Sequence, residues 1–553
     1  MFRVAVAVAL MGAVLAEQDP LDWWKTTVVY QVYPRSFKDS NGDGNGDLNG
    51  ITEKLDHLKD LGVGAVWLSP IYKSPMVDNG YDISDFYDVD PSFGTLDDFA
   101  KLKARAKELD IMVVLDFVPN HSSDEHEWFE KSVQKIEPYT DYYVWHDGKI
   151  DPDTGIRVEP SNWISIFSGS MWTWNDQRQQ YYLHQFGVKQ PDLNFRNPAV
   201  MEEMKNVLRF WVDRGVDGFR VDAVPHIVED AAFTDEERTN YPGVPPTDYN
   251  YLYHVHTANR PETYDVIKEW RSFLDGEFKD KDNHTRVIMT EVYASIEETM
   301  AYYGNDTNPG AYFTFNFNLV NSAGSWSTAN DFNNVIHSWV DNIPEGKQSN
   351  WVAGNHDNSR VANRYGTNMV DAVNMLVTLL PGTAVTYYGE ELGMEDLAMD
   401  SPSDNRDPER TPFQWDNTTS AGFSTSNVTW LPVNPNYKDL NLVNEKAAEK
   451  SHYHVYKQLL QARQEPAIQQ GSLHTNVIGD VFSFSRELEG ATIFVVVMNL
   501  SDSEQTVDLE APYPSLPQSP LVHTASINSN LTQGQRVSRN LTLGPREAVV
   551  LTS

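Results

Sequence analysis

Short runs of apolar, β-branched or aromatic residues recur along the chain and alternate with segments whose apolar residues return every three or four positions. The first such segment, residues 51–61, places four apolar side chains on one helical face: Ile51, Leu55, Leu58 and Leu61. Strand-like runs that alternate with amphipathic helices generate a parallel sheet covered by helices. Eight runs occur, at residues 28–34, 65–70, 112–118, 218–223, 287–292, 312–317, 351–356 and 384–389. Eight repeats of strand and helix predict a (β/α)₈ TIM barrel of the α/β class.

Two regions depart from this rhythm. The stretch at 119–195 is long and rich in Trp, Tyr, Asp and Gly, and it predicts a small domain inserted after the third strand. After about residue 470 the pattern changes to short alternating strands, such as 481–486 and 492–500, which is typical of an antiparallel β-sandwich. The predicted domains, in chain order, are a first barrel part at 17–118, the inserted domain at 119–195, a second barrel part at 196–470 and a C-terminal β-sandwich at 471–553.

The N-terminus indicates export. Residues 1–16 carry Arg3 near the start, then an apolar run, with the small residues Val14 and Ala16 at positions typical of a cleaved signal peptide. This run is shorter than the ~20 apolar residues that a transmembrane helix needs, so we expect a secreted, soluble protein without an integral membrane segment.

Several Asn-X-Ser/Thr sequons agree with that route and predict N-glycosylation: Asn283, Asn305, Asn417, Asn427, Asn499, Asn530 and Asn540. A further sequon at Asn120 is expected to stay unmodified, because it lies in a strand-end segment that the chemistry below places in the active site.

Charge and composition narrow the class of ligand. A formal net charge of −36 repels phosphate backbones and anionic lipid surfaces, which argues against nucleic acid as a partner. Aromatic residues make up 12 % of the chain, enough to line a stacking site for a neutral sugar, although any single ring is more often packed in the core. The chain has no Cys, so a large core rather than disulfides must supply the stability.

Candidate catalytic residues follow four of the predicted strands. In such barrels the active site lies at the carboxyl ends of the strands. Four strand ends carry acidic residues, in the segments 116–121 (DFVPNH), 218–223 (GFRVDA), 290–293 (TEVY) and 354–357 (GNHD). One acidic residue at a strand end is as often a loop cap as a catalytic group. Four carboxylates at one barrel mouth raise one another's pKa and provide the ionised and protonated pair that cleavage of a glycosidic bond requires.

These four segments, in this order, resemble the signature regions of the α-amylase family, glycoside hydrolase family 13. Four further segments resemble its α-glucosidase and oligo-1,6-glucosidase branch: 28–37 (VVYQVYPRSF), 79–82 (NGYD), 190–195 (QPDLNF) and 410–415 (RTPFQW). The resemblance covers about 22–470, and the overall character is similar to that of secreted insect maltases. It implies exo-acting, retaining hydrolysis of terminal α-1,4-linked glucose from maltose, sucrose and short oligosaccharides, with no organic cofactor.

The resemblance also implies roles for individual residues. Asp222 matches the nucleophile, Glu291 the general acid/base and Asp357 the carboxylate that stabilises the transition state. Arg220 lies two residues before Asp222 on the same face of the strand, where we expect its positive charge to hold the nucleophile ionised. Glu291 is expected to stay protonated until it donates to the leaving oxygen.

Further residues are implied to bind the sugar. His121 and His356 match donors to sugar hydroxyls, and Tyr81 is expected to stack on the ring. Asp82 and Arg410 match a pair that binds the terminal glucose and closes the pocket behind it.

Other positions bear on how the site is ordered and on which bond is cleaved. Asp116 matches the residue that orders the site around Arg220. Ala223, directly after the nucleophile, indicates α-1,4 rather than α-1,6 linkages, while Phe195 and Phe413 stand where the branch often has Trp and Met and are expected to bear on the outgoing sugar.

The segment 39–47 places oxygen ligands at alternate positions with Gly between them, which resembles an EF-hand calcium loop without its final Glu. Its predicted ligands for a structural Ca²⁺ are the side chains of Asp39, Asn41, Asp43 and Asp47 and the carbonyl of Asn45. The alternative is a turn built by Asp and Asn side chains without metal.

Two classes of alternative stay open. Amylase-like barrels also occur as non-enzymatic transporter subunits and as cell-surface receptors, and a receptor role for a foreign protein leaves no sequence motif. Within the enzymes, a transglycosylase or a sucrose-directed enzyme shares the same covalent intermediate and differs only in the acceptor.

Overall fold

The computed structural model describes residues 22–553, so the expected signal peptide lies outside the described residues. Eight parallel strands form the central sheet: β1 Val28–Val32, β2 Ala65–Leu68, β3 Met112–Phe117, β4 Gly218–Val221, β5 Val287–Thr290, β6 Phe313–Thr314, β7 Asn350–Val352 and β8 Thr383–Tyr387. Each lies in or within one residue of a predicted run. The strands are almost entirely buried on both faces, as expected for a parallel sheet enclosed by helices. The barrel prediction is confirmed.

One main helix follows each strand: α1 Leu48–Leu61, α2 Leu96–Glu108, α3 Pro198–Val212, α4 Pro261–Leu274, α5 Ile296–Ala301, α6 Ala329–Val340, α7 Val370–Leu379 and α8 His452–Ala462. Side chains that cap orphan backbone N–H groups fix several helix starts. Thr95 and Asp98 form a reciprocal capping box on α2, and Thr328 and Asp331 form another on α6. Within residues 22–553 no helix has the length and apolar character needed to cross a bilayer.

A side chain closes the barrel between the two strands that share no backbone hydrogen bonds. The hydrogen-bonded order runs β6-β5-β4-β3-β2-β1-β8-β7, which leaves β6 and β7 as the two ends of the sheet. The amide of Asn350, fully buried at the start of β7, spans this seam. Its Nδ2 donates to the Thr314 carbonyl at 2.6 Å, and its Oδ1 accepts from the Asn316 N–H at 2.9 Å. One side chain therefore replaces the missing pair of ladder bonds.

Two excursions from the barrel bring loops to its carboxyl end. After β2, the strands Tyr72–Lys73 and Asp85–Val89 pair antiparallel and carry a loop at 74–84. After β3, the chain forms the helix Glu127–Val133 and a three-stranded antiparallel sheet of Trp145–His146, Trp172–Asn175 and Gln180–Leu183 before it returns at α3. A small core fills this inserted domain: Val144, Trp163, Met171, Trp172 and Leu183.

The C-terminal region consists of seven antiparallel strands: β9 Ser472–Ile478, β10 Val481–Glu487, β11 Phe494–Asn499, β12 Gln505–Asp508, β13 Leu521–Ala525, β14 Asn540–Leu543 and β15 Ala548–Thr552. They form a five-stranded sheet, β9-β10-β11-β15-β13, and a pair, β12-β14. Side chains alternate between two cores along the strands β10, β11 and β15. Phe482 and Val496 join the barrel core, while Val495 and Val497 pack in a separate core of the C-terminal domain.

Replacement of Asn350 by Ala leaves two buried backbone groups at the seam without partners. At about 1–3 kcal/mol for each group, we expect the free energy of unfolding to fall by about 2–5 kcal/mol. Urea unfolding followed by fluorescence measures this change. Asn342→Ala is the matched control, because Asn342 is exposed and makes one hydrogen bond to the Ser338 carbonyl, so its effect should stay within about 0.5 kcal/mol. Equal unfolding midpoints for the two variants would contradict a stabilising role for Asn350 at the seam.

Candidate active site

Arg220 stands at the centre of the carboxyl end of the barrel. Its buried guanidinium contacts Oδ1 of Asp116 at 2.7 Å, Oδ1 of Asp222 at 2.5 Å and Oε2 of Glu291 at 2.7 Å. The parallel register produces this convergence, since β4 lies between β3 and β5 and aligns Arg220 with Asp116 on one side and with Met289 on the other. The structure thus brings together three of the acidic residues that the strand ends predicted.

The balance of charge around Arg220 differs from the sequence-based expectation. Burial raises the pKa of Asp222 well above its usual range, Arg220 opposes this effect, and the carboxyls of Glu291 and Asp116 add to it. Burial likewise raises the pKa of Asp116 to about 6, despite its contact with Arg220. Arg220 favours the ionised form of Asp222, as expected, but burial and the two further carboxyls outweigh it, so the pKa of Asp222 is raised rather than held low. The carboxyls of Asp222 and Glu291 lie within hydrogen-bonding reach of each other.

Asp357, which follows β7, is in the opposite electrostatic state. Its Oδ1 accepts from Arg410 at 2.9 Å and from Arg406 at 3.2 Å, and its Oδ2 lies 3.3 Å from Nε2 of His356. Burial disfavours the charged form, but His356, Arg410 and Arg406 together outweigh it and hold the pKa of Asp357 below its usual range. This third carboxylate is therefore held as an anion beside the Asp222–Glu291 pair.

A chain of hydrogen bonds orients His356. Gln31 of β1 donates its Nε2 to Nδ1 of His356 at 2.8 Å, so Nε2 of the ring carries the proton and donates to the Tyr81 hydroxyl at 2.6 Å. Tyr81 in turn donates to Oδ2 of Asp116 at 3.0 Å. Burial lowers the pKa of His356 to about 3, which keeps the imidazole neutral. Tyr81 and His356 also stack in parallel, with ring centroids 5.3 Å apart.

His121 is held in a similar way. Nδ1 of its buried ring accepts from Nδ2 of Asn120 at 3.1 Å, and its Nε2 donates to the Tyr81 carbonyl at 3.1 Å. Nε2 of Gln190 lies 3.1 Å from the same ring nitrogen. Burial lowers the pKa of His121 to about 4, so this imidazole is neutral as well.

Asp82 and Arg410 do not form the expected pair. The carboxylate of Asp82 is fully buried and accepts from the Ser74 hydroxyl and from the backbone N–H groups of Val77 and Asp78, so it shapes the 74–84 loop from inside. Arg410 is buried behind Asp357 and donates to the His356 carbonyl at 2.6 Å.

The ion pair at the cavity wall joins two other residues, four positions earlier in each segment. Asp78 and Arg406 both line the cavity, and their side chains meet at 2.8 Å. Sequence reasoning missed both residues, as well as Gln31. For Gln31, the available signal was a polar residue within the apolar run of β1. For Asp78 and Arg406, it was a charged residue shortly before the motifs at 79–82 and 410–415.

A cavity of about 450 Å³ opens above the three carboxylates. Phe413 is fully buried against Phe37 and Trp415, and Phe195 packs edge-on to Trp270. Neither ring lines the cavity, although both were expected to bear on the outgoing sugar. The cavity surface has a polar floor and an apolar outer wall; its lining residues are Asp78, Tyr81, His121, Ile166, Phe167, Phe186, Asp222, Ala223, Pro225, His226, Tyr249, Ala258, Glu291, Tyr293, His356, Asp357, Asn358 and Arg406.

Ala223 adopts a left-handed conformation directly after Asp222, with φ of 49°. Such a conformation is strained for a residue with a side chain and is found where surrounding contacts impose it, often at active sites. The backbone N–H of Ala223 donates to Oε2 of Glu291 at 3.0 Å. The turn therefore ties the end of β4 to the carboxyl at the end of β5.

The predicted calcium loop is built from Asx turns. Asp39 accepts four hydrogen bonds, three from the N–H groups of Asn41, Gly42 and Gly44 and one from the Ser424 hydroxyl. Asp47 accepts from Ser40 and caps α1. The side chains of Asn41 and Asp43 accept from the backbone N–H groups of Asp43 and Asn45, and the side chain of Asn45, rather than its backbone carbonyl, accepts from Arg35.

The donor types suit Ca²⁺, and each carboxylate oxygen has a second lone pair. The residues that the structure describes nevertheless contain no group of three or more His, Cys, Asp or Glu side chains placed to hold a metal ion. Calcium binding stays a prediction.

A parallel barrel that collects two carboxyls in mutual contact, a third carboxylate held as an anion and neutral imidazoles around one cavity has the arrangement expected of a glycoside hydrolase. Residues 31–471 match the family of α-amylase catalytic domains. The chain therefore belongs to the α-amylase family of glycoside hydrolases.

Similar proteins agree with this assignment. The chain is 46 % identical to maltase A1 of Drosophila melanogaster over 580 aligned residues, which cover 100 % of both chains. It is 45 % identical to a salivary alpha-glucosidase of Anopheles gambiae over 96 % of this chain and 93 % of that protein. Among solved structures it is similar to the α-glucosyl transfer enzyme XgtA, with a TM-score of 0.84 and 33 % identity over 97 % of this chain and 100 % of that one.

Asp404 holds Arg406 in place, so its replacement tests the wall of the cavity. Asp404 accepts from Nε of Arg406 at 2.9 Å and from a terminal nitrogen at 2.6 Å. Asp404→Asn removes the charge that orients this guanidinium, and we expect a rise in KM of about tenfold, equivalent to about 1.4 kcal/mol, with a smaller change in kcat. Steady-state kinetics on an α-glucoside measures both constants. Asp400→Asn, an exposed carboxylate of the same segment, is the control, and equal KM values for the two variants would contradict the role of Asp404.

Proposed function

We propose that the protein is an exo-acting, retaining α-glucosidase that hydrolyses terminal α-1,4-linked glucose from maltose, sucrose and short oligosaccharides. The observation that carries this proposal is the position of the Asp78–Arg406 ion pair in the wall of the cavity that holds Asp222, Glu291 and Asp357. A cavity walled at one end admits only the terminus of a sugar chain. The names of the similar proteins, a maltase and a salivary alpha-glucosidase, support the same activity.

The close approach of Asp222 and Glu291 favours the retaining mechanism. Both carboxyls are held on one guanidinium and lie within hydrogen-bonding reach of each other. An inverting enzyme needs about 6.5–9.5 Å between its carboxyls to admit a water, whereas a retaining pair stands about 5–5.5 Å apart. A sugar that enters between the two side chains breaks their mutual contact and leaves the Asp222 carboxylate with Arg220 as its partner.

In the first step, Oδ of Asp222 attacks the anomeric carbon, the bond from that carbon to the glycosidic oxygen breaks, and Glu291 gives its proton to the departing oxygen. In the second step, ionised Glu291 takes a proton from water, and the resulting hydroxide displaces Asp222 from the anomeric carbon. Both groups then return to their starting states. Asp357 stays anionic throughout and stabilises the positive charge that develops on the sugar ring.

The neutral imidazoles suit the binding of a sugar that carries no charge. Nε2 of His356 carries a proton because Gln31 occupies the other ring nitrogen, so this N–H is available to a hydroxyl that displaces Tyr81 as its acceptor. Nε2 of His121 is protonated for the same reason. A cationic ring would compete with Arg406 and Arg410 for Asp357, whereas a neutral ring donates without that competition.

Initial rates on maltose, isomaltose, sucrose and starch test the proposed function. We expect hydrolysis of maltose and sucrose, slower hydrolysis of isomaltose and little release of glucose from starch. Proton NMR of the first product is expected to show the α-anomer, because two displacements restore the starting configuration. Preference for starch would contradict the walled cavity, and a first product in the β form would contradict the retaining mechanism.

Asp222→Asn tests the nucleophile at constant side-chain volume. We expect kcat on maltose to fall by roughly 10⁴-fold or more, since an amide cannot form the covalent intermediate. The thermal unfolding midpoint should not fall, because the substitution removes a carboxyl from a crowded acidic cluster. Asp213→Asn, an exposed carboxyl at the end of α3, is the matched control and should keep the parent kcat. Turnover of Asp222→Asn within tenfold of the parent would exclude Asp222 as nucleophile.

The proposal includes export from the cell and a structural calcium ion. The signal-like residues 1–16 and the similarity to salivary proteins support export. For calcium, the oxygen-rich segment 39–47 is the support. We expect a chelator to lower the thermal unfolding midpoint and added Ca²⁺ to restore it, whereas Mg²⁺, which demands a tighter octahedral shell, should not. If the chelator does not change the midpoint, the segment 39–47 is a turn built by Asp and Asn side chains that binds no metal.

Glucosyl transfer is a second candidate activity. The outer wall of the cavity is apolar, with Ile166, Phe167 and Phe186 among its residues, and such a surface stacks on a sugar acceptor. The similarity to the α-glucosyl transfer enzyme XgtA also favours glucosyl transfer. Product analysis at high maltose concentration separates the two activities, since transfer yields trisaccharides whose share grows with maltose and hydrolysis yields glucose alone.

A further inference from the structure

The sequons differ in whether the asparagine side chain is buried or exposed. Attachment of an N-glycan requires a side-chain amide nitrogen at an open surface. Asn499 is fully buried and donates its Nδ2 to the carbonyls of Ser503 and Gly544, at 2.8 and 2.7 Å, so the expectation of a glycan at this residue is wrong. Asn120 is buried as well, and its Nδ2 donates to His121 and Asp192, which agrees with its expected unmodified state.

Asn417 and Asn427 are exposed, and both line one cleft. This cleft has a volume of about 680 Å³ and lies between the segments 417–420 and 427–438. Hydroxyl and amide groups form most of its walls, including those of Thr418, Thr419 and Thr429, and Pro432, Val433, Tyr437 and Lys438 complete the lining. A cleft of this chemistry matches the hydroxyl groups of a sugar.

We propose that Asn417 and Asn427 carry N-linked glycans and that the first sugars of these glycans occupy the cleft. The two attachment points open into the space that the sugars would fill, and the hydroxyl groups of Thr419 and Thr429 belong to the two sequons themselves. The proposal rests on the export that forms part of the proposed function.

The cleft belongs to a segment that leads back to the active site. Trp430 donates its indole N–H to the Ser36 hydroxyl at 3.0 Å and stacks on Tyr33, with ring centroids 5.9 Å apart. Tyr33 in turn lies 5.9 Å from the His356 ring. The backbone N–H of Trp430 also donates to the Gly44 carbonyl in the predicted calcium loop. Sugars in the cleft therefore brace the segment that supports one wall of the substrate site.

Glycopeptide mapping tests the attachment sites on the full chain secreted from a eukaryotic host. Treatment with peptide N-glycosidase in heavy-oxygen water converts each glycosylated Asn to labelled Asp. We expect the label at Asn417 and Asn427 and none at Asn499 or Asn120. Unlabelled Asn417 and Asn427 overturn the proposal, and so does a label at the buried Asn499. Export is judged separately, from the presence of active protein in the medium.

The reactivity of Lys438 tests whether the sugars lie in the cleft or project into solvent. The Lys438 ammonium donates to the Asn417 carbonyl at 3.0 Å and lies 4.3 Å from the Tyr437 ring centre, so sugars in the cleft would cover it. Acetylation with a small acetylating reagent, read by mass spectrometry, should be several-fold slower in the secreted protein than after enzymatic removal of the glycans. Lys281, an exposed residue near the separate sequon at Asn283, is the control and should react equally fast in both.

Sequon variants complete the test without a change at either asparagine. Thr419→Ala together with Thr429→Ala removes both sequons and should raise the reactivity of Lys438 to that of the deglycosylated protein. Thr419→Ser together with Thr429→Ser keeps both sequons and hydroxyls and should match the parent. Equal Lys438 reactivity in the secreted parent and the double alanine variant overturns the placement of sugars in the cleft.

Discussion

The active site depends on one buried cation that balances three carboxyls. Arg220 receives Asp116, Asp222 and Glu291 from three adjacent strands, and its guanidinium lies over the Trp67 ring at 5.3 Å. Removal of one partner from a buried ion pair costs about 3–5 kcal/mol because the remaining charge has no compensation. Loss of Arg220 would leave the buried carboxyls without their cation, so this contact permits this part of the barrel to fold with its acids inside.

A second network connects strands on opposite sides of the barrel. It runs from Gln31 on β1 through His356 after β7 to Tyr81 in the loop after β2, and it ends on Asp116 of β3. Each member donates to the next, so one arrangement of protons satisfies the whole chain. The network meets the Arg220 cluster at Asp116, whose two oxygens receive one hydrogen bond from each side. The orientation of the His356 ring and the charge balance around Arg220 are therefore parts of one structure.

The sequence predicted the barrel and the positions of its candidate catalytic acids better than the walls of the pocket, and the reason is physical. Asp222 and Glu291 directly follow buried strands, so the parallel register alone determines their positions. Asp78 and Asp82 lie on one irregular loop, and their roles depend on which carboxylate the loop uses for its own backbone. Three hydrogen bonds from the loop to Asp82 turn that residue inward and leave Asp78 facing the cavity.

Similar reasons explain the other differences. Phe413 has an apolar ring suited to a sugar or to a core, and only the neighbouring rings of Phe37 and Trp415 show that it belongs to the core. Asn499 carries a valid sequon, yet its amide is needed by three carbonyls in the C-terminal domain. A motif states which chemistry a residue offers, whereas long-range packing decides whether that chemistry is free to act.

The Asp78–Arg406 ion pair joins residues that are 328 positions apart in the chain. One partner is made early in synthesis, on the loop after the second strand, and the other arrives only after the eighth strand has been made. A partly folded or truncated barrel can therefore hold the acids near Arg220 while the end of its pocket is still open. Tight binding of a glucose unit therefore requires that all eight strands have assembled. A small sugar added during refolding would stabilise the completed barrel relative to every earlier intermediate.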